Sequence, residues 1–320
     1  MAATTDFVAA QKVNRRNTLV LLAVLTALAA LVGYLIGWLV ESESAGEVPA
    51  LSAAGVAVAG MMAAVSIGWS ALSLALGDRL VLALANAKPI DKADAPQLYN
   101  VVEEMAIAAG MPMPRVMVLE TDALNAFATG TRVGKGTIAV TRGLLDTLDR
   151  DELQGVVAHE TAHLANLDTR YMVVVGVTVG LIALVCDVLL RSLSWGRLGR
   201  TTRTGSSDRK GGGQALLIVL LLVVAILAPL AAKAVQMAVS RQREYLADAT
   251  SVQFTRNPNG LISALQKLAD RAAPFPGVSR ATQHLFIVNP VQTVTSRTPA
   301  LLATHPEIAD RIARLRNLGA

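Results

Sequence analysis

Charge is scarce in this sequence. Of 320 residues only 17% are Asp, Glu, Lys or Arg, and aromatic residues make up 4%. With 53% hydrophobic residues and a mean hydropathy of +0.47, the chain is too apolar for an ordinary soluble domain. Cysteine is almost missing. Lone Cys186 cannot close an intrachain disulfide, and inside its apolar run it reads as a small buried hydrophobe. That argues against a closed structural zinc site, which favours four ligands rich in Cys. Basic segments interleaved with aromatics are missing too. The net charge of +5 and pI near 9.6 therefore point to anionic lipid, and not to nucleic acid.

What is abundant is uninterrupted apolar sequence. Leu19 to Val40 is 22 residues without a charge, and Leu51 to Gly77 is 27. At about 1.5 Å per helical residue, either can cross a hydrocarbon core about 30 Å thick. The first run exceeds a signal-peptide core and lacks a clear small-x-small cleavage site, so it reads as an uncleaved anchor. Two shorter runs, Tyr171 to Cys186 and Gln214 to Ala232, read as membrane-embedded. Lys12, Arg15 and Arg16 precede the first run, whereas the following linker carries Glu41, Glu43 and Glu47 and no basic residue. By the positive-inside tendency the N-terminus is cytoplasmic, the linker is outside, and residues 78–170 are back inside. Between the shorter runs, Arg191, Arg197, Arg200, Arg203, Arg209 and Lys210 face a single Asp208. If both runs cross, this basic segment lies outside, against the tendency; a shallow hairpin keeps it inside.

The polar parts read as mixed α/β. A helix is expected over Ala95–Ala109, stopped by Gly110-Met-Pro-Met-Pro114, with strands at 115–119 and 136–141 and a turn at Val133-Gly-Lys-Gly136. Asp149 with Glu152 forms a capping-box start to a helix burying Leu153, Val156, Val157 and Leu164 on one face. Downstream, a long helix runs to Asn257-Pro-Asn-Gly260. Another covers about Leu261–Arg271, and a last one starts after Thr304-His-Pro-Glu307.

The motif helix contains His159-Glu160-Thr161-Ala162-His163. With four His and few Glu, random order gives about 0.0015 such motifs per chain, so chance is a poor explanation. Residues four apart sit one turn above each other, so both imidazoles can reach one ion with Glu160 beside its water. A catalytic site needs a third ligand. His284, His305 and a downstream carboxylate are candidates. Glu244 of Glu244-Tyr-Leu-Ala-Asp248 is the best of them, because Asp248 one turn later can accept the far ring N–H of a ligand histidine. Asp168 is expected to tie the helix end to a neighbour such as Arg170. The tetrapeptide Asn257–Gly260 resembles the Asn-Pro-Asp-Gly motif of site-2-type intramembrane proteases but lacks its carboxylate.

His-Glu-Thr-Ala-His followed by Asn166 and Asp168, then Arg-Glu-Tyr-Leu-Ala-Asp, together resemble the HtpX family of bacterial inner-membrane zinc metallopeptidases, relatives of the CAAX-prenyl endopeptidases. Asn125-Ala126-Phe127, the stretch from His284 to Pro290, and Thr304-His-Pro306 with Arg311-Ile312 strengthen the likeness. The resemblance implies one zinc per chain on His159, His163 and Glu244, with Glu160 as general base and Asp248 behind the ligands. It implies His305 as transition-state stabiliser with Arg311 near it. Asn125, Ala126 and Phe127 would be an edge strand that takes substrate by main-chain pairing. The implied substrates are misfolded or damaged membrane proteins. The alternatives are a site-2-type intramembrane protease and a non-catalytic zinc-binding scaffold or chaperone.

The expected fold is thus a mostly α membrane protein, with four apolar helices and a cytoplasmic α+β zincin-like peptidase domain holding a small mixed sheet. Residues 1–17 are a cytoplasmic N-terminal segment and 18–77 a two-helix anchor. Residues 78–170 are the first peptidase part, 171–240 an apolar helix pair with the basic loop 191–213, and 241–320 the second peptidase part.

Overall fold

In the computed structural model, two long helices open the chain, α1 (Phe7–Ala45) and α2 (Ala53–Leu84). The structure describes residues 7–45, 50–132, 134–178, 241–270 and 306–318. The basic segment 191–213, the run 214–232, the second half of the run that starts at Tyr171, and both His284 and His305 lie outside these residues. Stretches of both helices, Ala9–Ser42 and Ala53–Leu84, are long and apolar enough to cross a membrane. Only 17% and 6% of their most apolar windows are buried, which is unlike the core helix of a soluble protein. Leu31, Val56, Met61, Val65 and Ile67 all face outward. Gly33 and Gly37 let α1 approach α2: a Cβ at Gly33 would stand 2.8 Å from the Val58 carbonyl oxygen, and one at Gly37 would run into that of Ala54. This small-xxx-small spacing is the usual way apolar helices come close in lipid.

The chain divides into two compact units. One comprises Leu19–Ser73 and Thr178–Ala234; the other comprises Met1–Thr18, Leu74–Val177 and Val235–Ala320 and holds the polar chemistry. In the second unit β1 (Lys88–Pro89), β2 (Arg115–Leu119), β3 (Ala126–Thr129) and β4 (Thr137–Thr141) form a sheet of order β1-β2-β4-β3. β2 and β4 are parallel; β3 returns antiparallel along the outer side of β4. The strands expected at 115–119 and 136–141 are present, and the glycine-bearing connection 130–136 makes β3 and β4 a hairpin, with Gly134 at φ +76.

Helix α3 (Pro96–Ala108) starts on Pro96, whose fixed φ suits a first turn. Its Val101, Val102 and Met105 share one buried hydrophobic core with Val116, Val118, Ile138 and Val140 of the sheet. After the short α4 (Arg142–Thr147) comes α5 (Arg150–Asn166), the motif helix. Its capping box is complete: the Asp149 carboxylate accepts from the Glu152 N–H at 2.9 Å, and the Glu152 carboxylate accepts from the Asp149 N–H at 2.8 Å. The single buried face expected for α5 is corrected here. Glu152, Leu153 and every residue from Gly155 to Asn166 are buried. The reason is enclosure by the sheet, α3 and two later helices, α7 (Arg241–Thr255) and α8 (Pro258–Asp270). Gly155 permits the tightest approach, since a Cβ there would lie 2.6 Å from the Leu261 backbone nitrogen. Glu152, buried inside this packing, is held by Lys267 Nζ and Ser263 Oγ, each at 2.6 Å. Burial pushes its pKa up, but these donors outweigh that and hold it below the usual carboxylate value.

Leu167 ends α5 in the left-handed region at φ 57, and a new helix, α6 (residues 168–178 as described), sets off at once. A buried leucine at positive φ stores strain, which the enclosing structure must hold. The chain between α7 and α8 turns at Arg256, φ 54, and Asn257-Pro-Asn-Gly260 serves as the start of α8, with the Asn259 N–H donated to Asn257 Oδ1. The last described helix is α9 (Ile308–Leu318).

Candidate metal centre

The one-turn spacing on α5 stacks His159 and His163 with ring centroids 4.7 Å apart and planes nearly perpendicular. What fixes their direction lies behind them. His159 Nδ1 is 3.0 Å from Asp248 Oδ1, and His163 Nδ1 is 3.0 Å from Asp168 Oδ2. A carboxylate at each Nδ1 keeps the proton there, so both Nε2 atoms present lone pairs. Those two atoms are 3.2 Å apart. Glu244, from α7, brings Oε2 to 3.5 Å from His159 Nε2 and Oε1 to 3.5 Å from His163 Nε2. Three acceptors therefore converge, an arrangement that a cation resolves, either a metal ion or a proton. A tetrahedral ion with bonds of about 2.0–2.1 Å sets neighbouring ligand atoms about 3.3–3.4 Å apart. The observed spacings lie close to that, with a different Glu244 oxygen nearest each ring, and two imidazoles with one carboxylate suit zinc.

The charge around the triangle supports the same reading. Glu160, Glu244, Asp248 and Asp168 are all buried, and Arg311 from α9 is the guanidinium buried among them, 1% exposed. Arg311 donates through Nε to Asp248 Oδ2 at 2.9 Å and through Nη2 to Asp248 Oδ1 at 2.6 Å, and its Nη1 is 3.5 Å from Glu244 Oε2. Burial pushes the Asp248 pKa up, but Arg311 and His159 outweigh it and hold the group ionised. Burial works against charge on Arg311, and Asp248 reverses that. Glu160 differs: burial dominates and raises its pKa, opposed by the two histidines, and it accepts from the Ala128 N–H.

Without a cation in place, burial disfavours charge on His163, but Asp168 and Glu244 outweigh it and lift the ring well above the usual imidazole value. His159 is raised as well, against burial and Arg311, by Asp248 and Glu244. The metal-free site thus holds a proton near neutrality that a metal must expel. Zinc affinity is expected to fall as pH falls through the neutral range, by about tenfold per pH unit for each proton displaced. Competition titrations with a chelating dye across that range test it; a flat profile would mean that the metal-free triangle is unprotonated.

The structure brings together His159, Glu160, His163, Glu244, Asp248 and Arg311. Arg311 lies behind the ligands, against Asp248 and the Nδ1 side of His159, 3.3 Å away. The expectation for Asp168 is corrected: its carboxylate serves His163, while Arg170 donates to the Thr131 carbonyl at 3.4 Å. Periodicity could not show this, because only the left-handed turn at Leu167 folds position 168 back onto the helix it follows. Asn14 was also unforeseen; its side-chain amide donates to Asp168 Oδ1 at 2.7 Å. The signal was there as a polar stripe, Gln11, Asn14 and Thr18, on the helix entering an apolar run.

Among the described residues β3 pairs on one side only, with β4. The Thr141 N–H donates to the Asn125 carbonyl, and hydrogen-bonded pairs alternate along an antiparallel ladder. Phe127 is therefore turned to β4, and Ala126 and Ala128 carry the main-chain groups that face the other way. The Ala128 main chain acts on the Glu160 carboxylate, so the side of β3 turned away from β4 lies against Glu160 of α5, and the whole strand is buried.

Comparison with known proteins agrees with this construction. The profile described as Peptidase family M48 matches residues 92–319. A Protease HtpX homolog of Listeria monocytogenes serotype 4a (strain HCC23) is 42% identical over 242 residues, 75% of this chain and 79% of the relative. One from Thermoanaerobacter pseudethanolicus (strain ATCC 33223 / 39E) is 44% identical over 241 residues, 75% of this chain and 78% of the relative. One from Streptococcus agalactiae serotype III (strain NEM316) is 41% identical over 307 residues, covering 95% and 97%. Among solved structures, that of S. mikatae Ste24p matches with TM-score 0.40 at 17% identity, covering 80% of this chain and 64% of that one. With a triangle of His159, His163 and Glu244 at metal-binding spacing and identity above 40% across nearly the whole length of one relative, the chain belongs to peptidase family M48, within its HtpX family.

Proposed function

We propose that this chain is a membrane-bound zinc endopeptidase that works at the cytoplasmic face of a bacterial inner membrane and cuts unfolded stretches of misfolded or damaged membrane proteins. The observation that carries the reading is the metal triangle with Glu160 buried beside it, next to β3, which among the described residues is strand-paired on one side only. Zinc, when held by His159, His163 and Glu244, supplies a water of lowered pKa and a Lewis acid for the scissile carbonyl. Glu160 takes the proton of the attacking water and returns it to the leaving amine. Its raised pKa suits both halves of that task. Asp248 and Asp168 hold the two rings in the tautomer that ligates, and Arg311 holds Asp248. His305, outside the described residues, is assigned the developing oxyanion.

Substrate enters as an added strand on β3, antiparallel to it, bonded to the main chain of Ala126 and to the Ala128 carbonyl, with Asn125 and Phe127 shaping the strand from the β4 side. Main-chain pairing reads little sequence and needs an extended chain, so folded proteins are excluded. Among peptidase readings a site-2-type site is disfavoured, since its third ligand would come from Asn257–Gly260 and position 259 is Asn. The test is cleavage of one protein in two states, permanently unfolded by reduction and alkylation or natively folded. The detergent-purified chain with zinc is expected to cut the unfolded form, a chelator to stop it, and zinc to restore it. Equal cutting of both states would overturn the strand-addition reading, and cutting insensitive to chelator would overturn the metal mechanism.

A further inference from the structure

We propose that Asn14, on the stem of the first membrane helix, is a positioning residue of the metal centre. It locks Asp168 so that His163 keeps Nε2 on the ion. Asp168 has two oxygens to place. Oδ2 is taken by His163 Nδ1 at 3.0 Å, and Oδ1 accepts from Asn14 Nδ2 at 2.7 Å. Asn14 Nδ2 also donates to the Asn166 carbonyl at 3.0 Å. Its two amide hydrogens thus bridge the left-handed break at Leu167, one to the last residue of α5 and one to the first of α6. Asn14 is 5% exposed, and a buried amide that loses such partners is costly. Among the described residues Arg243 also approaches, with its Nε 3.8 Å from Asp168 Oδ1, beyond hydrogen-bond distance.

The stem holds the same helix end at a second point. Gln11 Nε2 donates to the Ala165 carbonyl at 2.8 Å, one turn before Asn14. Gln11 touches no group that orients a ligand. The pair therefore separates two roles on one helix: Gln11 anchors the end of α5, and Asn14 anchors the carboxylate that aims His163. A consequence follows for the whole protein. The metal site is complete only with the stem, residues 7–18, in place.

The experiment uses the full-length chain in detergent, comparing wild type, Asn14→Leu and Gln11→Ala. Three quantities are read: zinc affinity by chelator competition, the visible spectrum of the cobalt-loaded protein, and thermal unfolding. Asn14→Leu keeps the volume and removes both donors. It is expected to weaken zinc about 3- to 10-fold, below the roughly 10- to 100-fold expected for losing a direct partner of a ligand histidine, and to alter the cobalt spectrum. Gln11→Ala is expected to lower the melting temperature with affinity and spectrum unchanged. Wild-type affinity and spectrum in Asn14→Leu would overturn the proposal, and so would equal changes in both variants. If Asn14→Leu does not fold, Asn14→Asp, which sets a carboxylate against Asp168, is judged by the same criteria. The proposal rests on reading the triangle as a metal centre. A wild type that binds no zinc refutes that reading, whereas zinc-binding wild type with an indifferent Asn14 refutes only the role of Asn14.

Discussion

Replacing Glu160 by Gln is expected to cut peptide hydrolysis by about 10²- to 10⁴-fold while leaving zinc bound, the range a positioned general base contributes. The split between chemistry and binding follows from the site. Glu160 is not among the groups of the triangle, and an amide in its place keeps its volume and can still meet the Ala128 main chain. What it cannot do is accept a proton. The pH profile carries a second signature. Burial raises the Glu160 pKa and a bound cation opposes that, so the acid limb of kcat/KM reports the protonation of Glu160 in the loaded site, and the limb should be lost from the residual activity of the Gln variant. Steady-state kinetics with zinc saturating at each pH separate this from metal loss. A variant that retains zinc and wild-type rates would show that another group takes the proton.

How much of this could be read in the sequence depends on whether local spacing or tertiary folding sets the feature. The histidine pair, the capping box at Asp149 and the Glu244–Asp248 pair are single-helix patterns, and the structure places all of them as spacing implies. The helix expected over Ala95–Ala109 and the strands expected at 115–119 and 136–141 are equally local, and the structure has them at Pro96–Ala108, Arg115–Leu119 and Thr137–Thr141. The parallel pairing of β2 with β4 was not legible, because strand order depends on where β3 lies down after β2. The all-round burial of α5 was hidden as well. Its hydrophobic pattern is that of a half-buried helix, and its other sides are filled by His159, Glu160, Thr161 and His163, polar residues that ordinarily mark solvent. His163 meets Asp168 of α6, His159 meets Asp248 of α7 and Glu160 meets the main chain of β3, while Thr161 Oγ1 donates to the Val157 carbonyl of its own helix. The role of Asp168 was lost for a related reason: a leucine at positive φ is not a turn signal, yet Leu167 makes the reversal. Polar function overrode local pattern at the same few residues.

Arg311→Met should give the largest loss of stability of any single change near the site. Methionine spans a similar length without charge, so the substitution leaves Asp248 buried with His159 as its remaining close partner and takes the guanidinium from Glu244. Breaking a buried, bidentate pair by removing one member costs about 3–5 kcal/mol. Lysine should rescue poorly, since one ammonium cannot reproduce the fork that binds both Asp248 oxygens. The sign of the pH dependence identifies the cause. In the wild type the Asp248 pKa lies below its unfolded value, so its contribution is present at neutral pH and is lost as pH falls through the folded-state pKa. In Arg311→Met burial acts unopposed by that cation and lifts the Asp248 pKa, so the carboxyl is neutral and tolerated in acid and costly once ionised. The difference between wild type and variant must therefore grow as pH rises from the acid range toward neutrality. Metal-free protein in detergent, unfolded by denaturant at several pH values, shows whether it does. The Asp248→Asn background supplies the matching control, because with the carboxylate gone Arg311→Met should lose most of its pH dependence and the two changes should couple strongly. A pH-independent loss in both backgrounds would mean that Arg311 acts by filling space in α9 and not by charge, and the positioning of His159 would then rest on Asp248 alone.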